Sequence, residues 1–265
     1  MNFNYIEDQL THATKTNSLQ LPKLPTVVLK INELINDDES TLQSIANVIQ
    51  FEPGLSARLL NIANSPGLRS SMEISSLQIA LSRLGIVMVR DLVMALNIKD
   101  LFKSTDVSIN DRLSKILKHS QEVACIGSCI AKHKRLSFLP ETVLLAGIIH
   151  EIGQLPIIKL LEFHPELIDD VNQLDQLIER FKPIVGEAIS KYWNLNRQLK
   201  DVITEKNNDK LECVDIIKLS HLILEESNTA GMLLEAKGLI LTDEDINIIK
   251  GMAAEQMKAV SKLFK

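Results

Sequence analysis

The sequence predicts an all-α protein built as two packed helical lobes, and three observations carry that expectation. Aromatic residues are only 4% of the 265 positions while hydrophobic residues are 45%. The core must therefore be Leu, Ile, Val, Ala and Met, a composition that suits helix packing better than sheets. Apolar residues recur at three- and four-residue spacings in nearly every segment, and no alternating strand pattern of useful length appears. A chain of this length can bury its core without disulfides or structural metals.

The elements follow in order. Residues 1–17 form an N-terminal helix or extension, and 18–105 a first helical lobe. In "STLQSIANVIQ", Ser40 with Gln43 three residues on reads as a capping box, and Ile45, Val48 and Ile49 make one apolar face. "EPGLSARLLNIANSPG" carries Pro53 near a helix start and breaks at Ser65-Pro66-Gly67. Gly85 divides "SSLQIALSRLGIVMVRDLVMALNI" into two short helices. "STDVSINDR", residues 104–112, is polar and aperiodic and reads as a linker. The second lobe, 106–227, opens with the long helix of "RLSKILKHSQEVACIGSCIAKHKR". "FLPETVLLAGIIHEIGQ" then starts near Pro140 and ends before Pro156. "PELIDDVNQLDQLIERF", "KPIVGEAISKYWN" and "CVDIIKLSHLILEE" follow as further helices. Residues 228–265 read as a helix pair, with Thr242 and Asp245 in capping positions and acids ahead of lysines, as the helix dipole prefers.

Composition excludes several function classes. The net charge of -5 is spread over both halves, so there is no basic footprint for a phosphate backbone. Arg83 and Arg90, on the helix–Gly–helix stretch 76–97, are the residues a nucleic-acid reading would need, and the acidic charge argues against it. Three cysteines in so long a chain argue against a disulfide framework. The start, "MNFNYIEDQLTHATK", has no apolar run, and "VLLAGII" is too short to span a bilayer. A cytoplasmic protein without a membrane partner is expected. Phosphate-cradling glycine loops, a G-x-S-x-G elbow and an H-E-x-x-H helix are all missing, which removes the common NTPase, dinucleotide, serine-hydrolase and zincin readings.

Two clusters carry metal-binding chemistry. Cys125, Cys129 and His133 stand four residues apart and drift by only about 40° per step, so they share a helix face. They could bind zinc, but free cysteine behaves as a small buried hydrophobe, and no fourth ligand is nominated. His150-Glu151 ends the run Leu144 to Ile149, which is apolar on all sides. A carboxylate and an imidazole at the end of such a helix need partners, whether a metal or hydrogen bonds.

"ILKHSQEVACIGSCIAK", "TVLLAGIIHEIGQL" and "IIKLSHLIL" resemble, in order, the motifs of the HD superfamily of metal-dependent phosphohydrolases. "LPKLP", "EPGLSARLLNIANS" and "ALSRLG" are similar to the opening of an HDOD domain, the HD-related output domain of bacterial signalling proteins. The resemblance spans roughly residues 18 to 225 and makes the second lobe HD-like. It implies that His119 matches the first histidine ligand and His150 the histidine of the His-Asp pair. Glu151 then stands where that aspartate would be, and His221 where the last aspartate would be. Two-metal members add histidines where this chain has Pro183, Asn207 and Asn208.

These departures have chemical consequences. Glu is one methylene longer than Asp, proline offers no ligand, and asparagine brings no charge for a second ion. A paired-metal clamp on a phosphoryl group is therefore lost. No cofactor is assigned outright, but His119, His150, Glu151 and His221 could hold one divalent transition metal such as zinc, nickel or iron. The resemblance implies a non-catalytic signal-transduction module acting through contacts with a protein of a signalling pathway. The alternative is a metal-dependent phosphohydrolase of a nucleotide or other phosphoester. The four polar residues are expected to converge in one pocket, since scattered buried polar groups would each cost a few kcal/mol.

Overall fold

A computed structural model describes residues 3–16, 18–37, 39–64, 74–164, 170–206, 209–226 and 237–263. The described residues are helical with no strand, as the periodicity predicts. They divide into two compact units, one of 24–98 with 261–265, the other of 1–23 with 99–260.

The smaller unit holds α2 (Thr26–Ile35), α3 (Leu42–Gln50), α4 (Pro53–Ala63), α5 (Leu77–Leu84) and α6 (Ile86–Ile98). Pro53 sits in the first turn of α4, where a missing N–H costs nothing. Gly85 has a φ of 79°, the left-handed conformation that turns α5 into α6 without strain. The capping box lies one residue later than the sequence suggests. Thr41 accepts from the Ser44 amide at 3.2 Å, and the Ser44 hydroxyl accepts from the Thr41 amide. Ser40 instead donates to the Leu34 carbonyl, closing the preceding turn. The Ser65-Pro66-Gly67 break lies outside the described residues. Across it, the Asn64 amide donates to the Ile74 carbonyl and accepts from the Ile74 N–H, both at 2.8 Å.

The larger unit holds α1 (Phe3–Lys15), α7 (Val107–His133), α8 (Pro140–Ile149), α9 (Gln154–Leu160), α10 (Val171–Tyr192), α11 (Arg197–Ile203), α12 (Cys213–Leu224) and α13 (Asp243–Leu263). Two sequence expectations are corrected here. The stretch 104–112 is mostly not a linker: Asp106 caps α7 by accepting from the Ile109 amide at 3.0 Å, and Ile109 and Leu113 are fully buried. Polar residues between them had hidden the period. The segments on either side of Pro183 are one helix, α10. Its apolar face, Leu174, Leu177, Ile178, Phe181, Val185 and Ile189, is buried along its whole length and outweighs the lost backbone hydrogen bond. Of the expected C-terminal pair, α13 is described and most of the other member lies outside the described residues.

The centre of this unit is α8 crossing α7, with α12 against both. Every residue from Thr142 to Ile149 is buried, so α8 has no polar face at all. Pro140–Phe163 is the one described stretch long and apolar enough to cross a membrane, but it is broken at 150–153 and 78% of its most apolar window is buried in the fold. Gly147 explains the close crossing: a Cβ there would lie 2.3 Å from the Ala124 Cα. That approach brings the end of α8 under the middle of α7, where His119 stands.

Candidate metal centre

Each side chain of the site is delivered by a different feature. His119 projects from mid-α7, His150 is the C-cap of α8, Glu151 begins the turn into α9, and His221 lies in the last turn of α12. Of the four residues expected to converge, the structure brings the three imidazoles into one cluster. One nitrogen from each of His119, His150 and His221 lies within 4.8 Å of the other two. The ring centroids are 4.8, 4.8 and 5.8 Å apart. His150 and Glu151 are buried, and the other two imidazoles are half-buried.

Hydrogen bonds define which atoms face the centre. His150 Nδ1 lies 2.6 Å from the Gly147 carbonyl, which can only accept, so Nδ1 carries a proton. His150 Nε2 then faces the cluster, 2.9 Å from His221 Nε2 and 3.3 Å from Glu151 Oε1. One hydrogen joins the two Nε2 atoms, and an entering ion would displace it. Two nitrogens 2.9 Å apart, each 2.0–2.1 Å from a shared ion, subtend about 90°. Opening by about half an ångström reaches the tetrahedral angle of zinc. By its chemistry, three imidazoles, the donor set suits a single borderline transition metal.

Glu151 belongs to a second network. Lys182 Nζ donates to Oε1 at 3.0 Å and lies 2.9 Å from Oε2, while Gln154 Nε2 also donates to Oε2. Gly153 makes this possible, because a Cβ at that position would lie 2.4 Å from the Lys182 carbonyl oxygen and push α10 away. Burial opposes charge on Glu151, yet the hydrogen bond and charge of His150, then Lys182, outweigh it and hold the carboxyl well below the usual range. Burial likewise opposes charge on Lys182, but Glu151 and Glu205 outweigh it and raise its pKa. Sequence reasoning missed Lys182 and Gln154. Gln154 sits within one turn of Glu151, a legible signal, whereas nothing in the spacing marks Lys182, 31 residues away.

The imidazoles respond to the same surroundings. Burial, then the charge of His150, lowers the pKa of His119; burial, then His150 and His119, lowers that of His221 to about 3. Below pH 6.5 the unfolded chain takes up protons that the folded site refuses. Stability is then lost as pH falls from 6.5 toward 3, at no more than about 1.4 kcal/mol per pH unit for His221. Urea unfolding between pH 6.5 and 5, above most carboxylate titration, should give a shallower slope for His221→Gln than for the wild type. Equal slopes would remove the titration argument.

The other sequence candidates fall elsewhere. Cys125, Cys129 and His133 face α13 and not one another's ligand atoms: Cys125 Sγ is 3.9 Å from Met257 Sδ, Cys129 Sγ donates to Gln256 Oε1 at 3.1 Å, and His133 Nε2 lies 2.7 Å from Asp245 Oδ1. Among the described residues the three histidines are the only compact ligand cluster. Burial, then proximity to Cys129, pushes the Cys125 thiol up to about 12, and burial pushes Cys129 up to about 11, so both are inert packing groups. Pro183 lies inside α10 beside Lys182, and Asn207 and Asn208 lie outside the described residues. Arg90 pairs with the buried Asp91 at 2.7 Å, and Arg83 Nη1 is buried without a hydrogen-bond partner among the described residues.

Fold and site together define an all-helical protein with a partly buried cluster of three histidines. The HDOD domain family model matches residues 21–209, and the chain belongs to that family. A solved HDOD domain protein of unknown function from Geobacter sulfurreducens is 25% identical, with 98% of this chain and 99% of that one covered and a TM-score of 0.68. A protein from Shewanella amazonensis SB2B, provisionally named a metal-dependent phosphohydrolase, shares the fold with a TM-score of 0.80 at 23% identity over 96% and 98% of the two chains. One from Marinobacter aquaeolei VT8, provisionally named a signal transduction protein, shares it at 19% identity and a TM-score of 0.60, over 98% and 67%. No curated protein matches the chain in sequence.

Proposed function

We propose that this chain is a cytoplasmic signal-transduction module that acts through contacts with another protein and no longer hydrolyses phosphoesters. One observation carries the reading: the site's carboxylate, Glu151, is committed to Lys182 and Gln154. Among the described residues no carboxylate joins the three-histidine cluster, and Pro183 stands where the resemblance expects another histidine. A paired-metal clamp on attacking and leaving oxygens needs both. The three unbridged cysteines and the acidic composition support the cytoplasmic placement and a protein partner over nucleic acid.

A second reading, a single-metal phosphohydrolase, is favoured by the convergence of His119, His150 and His221. Those residues would hold the ion, and a divalent metal there would supply Lewis acidity toward a phosphoryl oxygen. The two readings separate on turnover of nucleotides, cyclic dinucleotides and phosphomonoesters with added manganese, zinc or nickel. The expected result is no hydrolysis above that of His150→Ala. Turnover in the wild type that vanishes in a folded His150→Ala protein would reverse the order.

A further inference from the structure

We propose that Lys182 sets the metal preference of the histidine site by withholding Glu151 from the ion. This rests on the reading that His119, His150 and His221 hold a metal.

The geometry is that of a clamp. Lys182 Nζ reaches both oxygens of Glu151, at 3.0 and 2.9 Å, and is held from the other side by Glu205 at 2.8 Å. Its side chain is 13% exposed. The carboxylate beside it is 11% exposed and is tied by Gln154 as well. The backbone of Lys182 is locked to the same turn, since its carbonyl oxygen fills the space over Gly153. An ammonium fixed in this way is a resident cation competing for the one carboxylate next to the imidazoles. Swinging Glu151 onto an ion would strand a buried ammonium, whose only other acidic partner among the described residues is Glu205, 49% exposed.

The consequence is a neutral, nitrogen-only donor set. Such a set suits nickel, copper and zinc, while manganese depends on carboxylate oxygens. Glu151 is thus an acid adjacent to the site rather than a ligand within it. Lys182→Met keeps most of the side-chain volume and removes the charge. It leaves a buried carboxylate uncompensated and free for an incoming ion, so it should improve the site for manganese above all.

The test is calorimetric titration of Ni2+ and Mn2+ into the metal-stripped full chain, for wild type, Lys182→Met and Glu151→Gln, with a circular-dichroism melt of each. Lys182→Met should tighten Mn2+ by about tenfold or more while Ni2+ changes by less than about threefold. Metal should also raise the melting temperature of Lys182→Met more than that of the wild type. Glu151→Gln should weaken Ni2+ by less than about 100-fold, because it removes a neighbour of His150 and not a ligand. An unchanged Ni2+-to-Mn2+ ratio in Lys182→Met overturns the proposal, and so does a loss of about 100-fold or more in Ni2+ affinity in Glu151→Gln. If Lys182→Met fails to fold, the Glu151→Gln arm decides alone. Absence of binding to the wild type overturns the metal reading itself and this proposal with it, a result distinct from wild-type binding without the Lys182 effect.

Discussion

Replacing His150 with alanine lowers Ni2+ or Zn2+ affinity by at least about 100-fold, as read by calorimetry on the metal-stripped chain. The size follows from the role of the residue: loss of an outer hydrogen-bond partner alone costs 10–100-fold at metal sites, and His150 would be an inner ligand. It is the hub of the cluster, with Nε2 2.9 Å from His221 and Nδ1 fixed by the Gly147 carbonyl at 2.6 Å. Loss of the ring leaves His119 and His221 without the third donor that brings them to a common point. The substitution also orphans the Gly147 carbonyl, a cost of about 1–3 kcal/mol, so a helical circular-dichroism spectrum must accompany the measurement. His12→Ala, at an exposed histidine on α1, is the control and should bind as the wild type does. Equal affinity in His150→Ala and wild type, or no binding by either, would sink the metal centre and leave the cluster as a hydrogen-bonded proton network.

The largest expected loss of stability belongs to Trp193→Ala. Trp193 is the only tryptophan, caps the C-terminus of α10 and is 2% exposed. Its indole N–H donates to the Pro22 carbonyl at 2.8 Å, tying the "LPKLP" stretch to the end of α10 across 171 residues of sequence. Truncation to alanine leaves a cavity and an unpaired carbonyl, at about 3–5 kcal/mol. That corresponds to a fall in melting temperature of roughly 6–20 °C for a chain of this size. Trp193→Phe isolates the hydrogen bond and should cost about 1 kcal/mol beyond the change in ring volume. A melting temperature for Trp193→Ala within about 2 °C of wild type would show that the end of α10 does not anchor the N-terminal segment.

The helical class is legible without coordinates, because a face that must be buried imposes a three- and four-residue apolar period that needs no partner to be seen. The sequence also named, through the resemblance to HD proteins, four polar residues, of which the three imidazoles cluster. His150 and Glu151 close an apolar run, where burial penalises an unpartnered polar group. Where local rules compete, the sequence misplaced the detail. Ser40–Gln43 and Thr41–Ser44 are both plausible caps, and only the packing of α3 chooses Thr41. Pro183 reads as a break, and only burial of both halves of one apolar face keeps α10 continuous through it. The stripe of Cys125, Cys129 and His133 is legible as a shared face, but what covers it, α13, is not, because the two are more than a hundred residues apart.

Charge pairing was the least legible of all. Whether Glu151 serves an ion or a lysine depends on where α10 lies against the turn at 150–153. That in turn depends on a glycine with no side chain to hold the Lys182 backbone off. Periodicity is a property of one helix and is written in one segment. The partner of a buried charge is a property of two segments in contact, and it is set by how they pack.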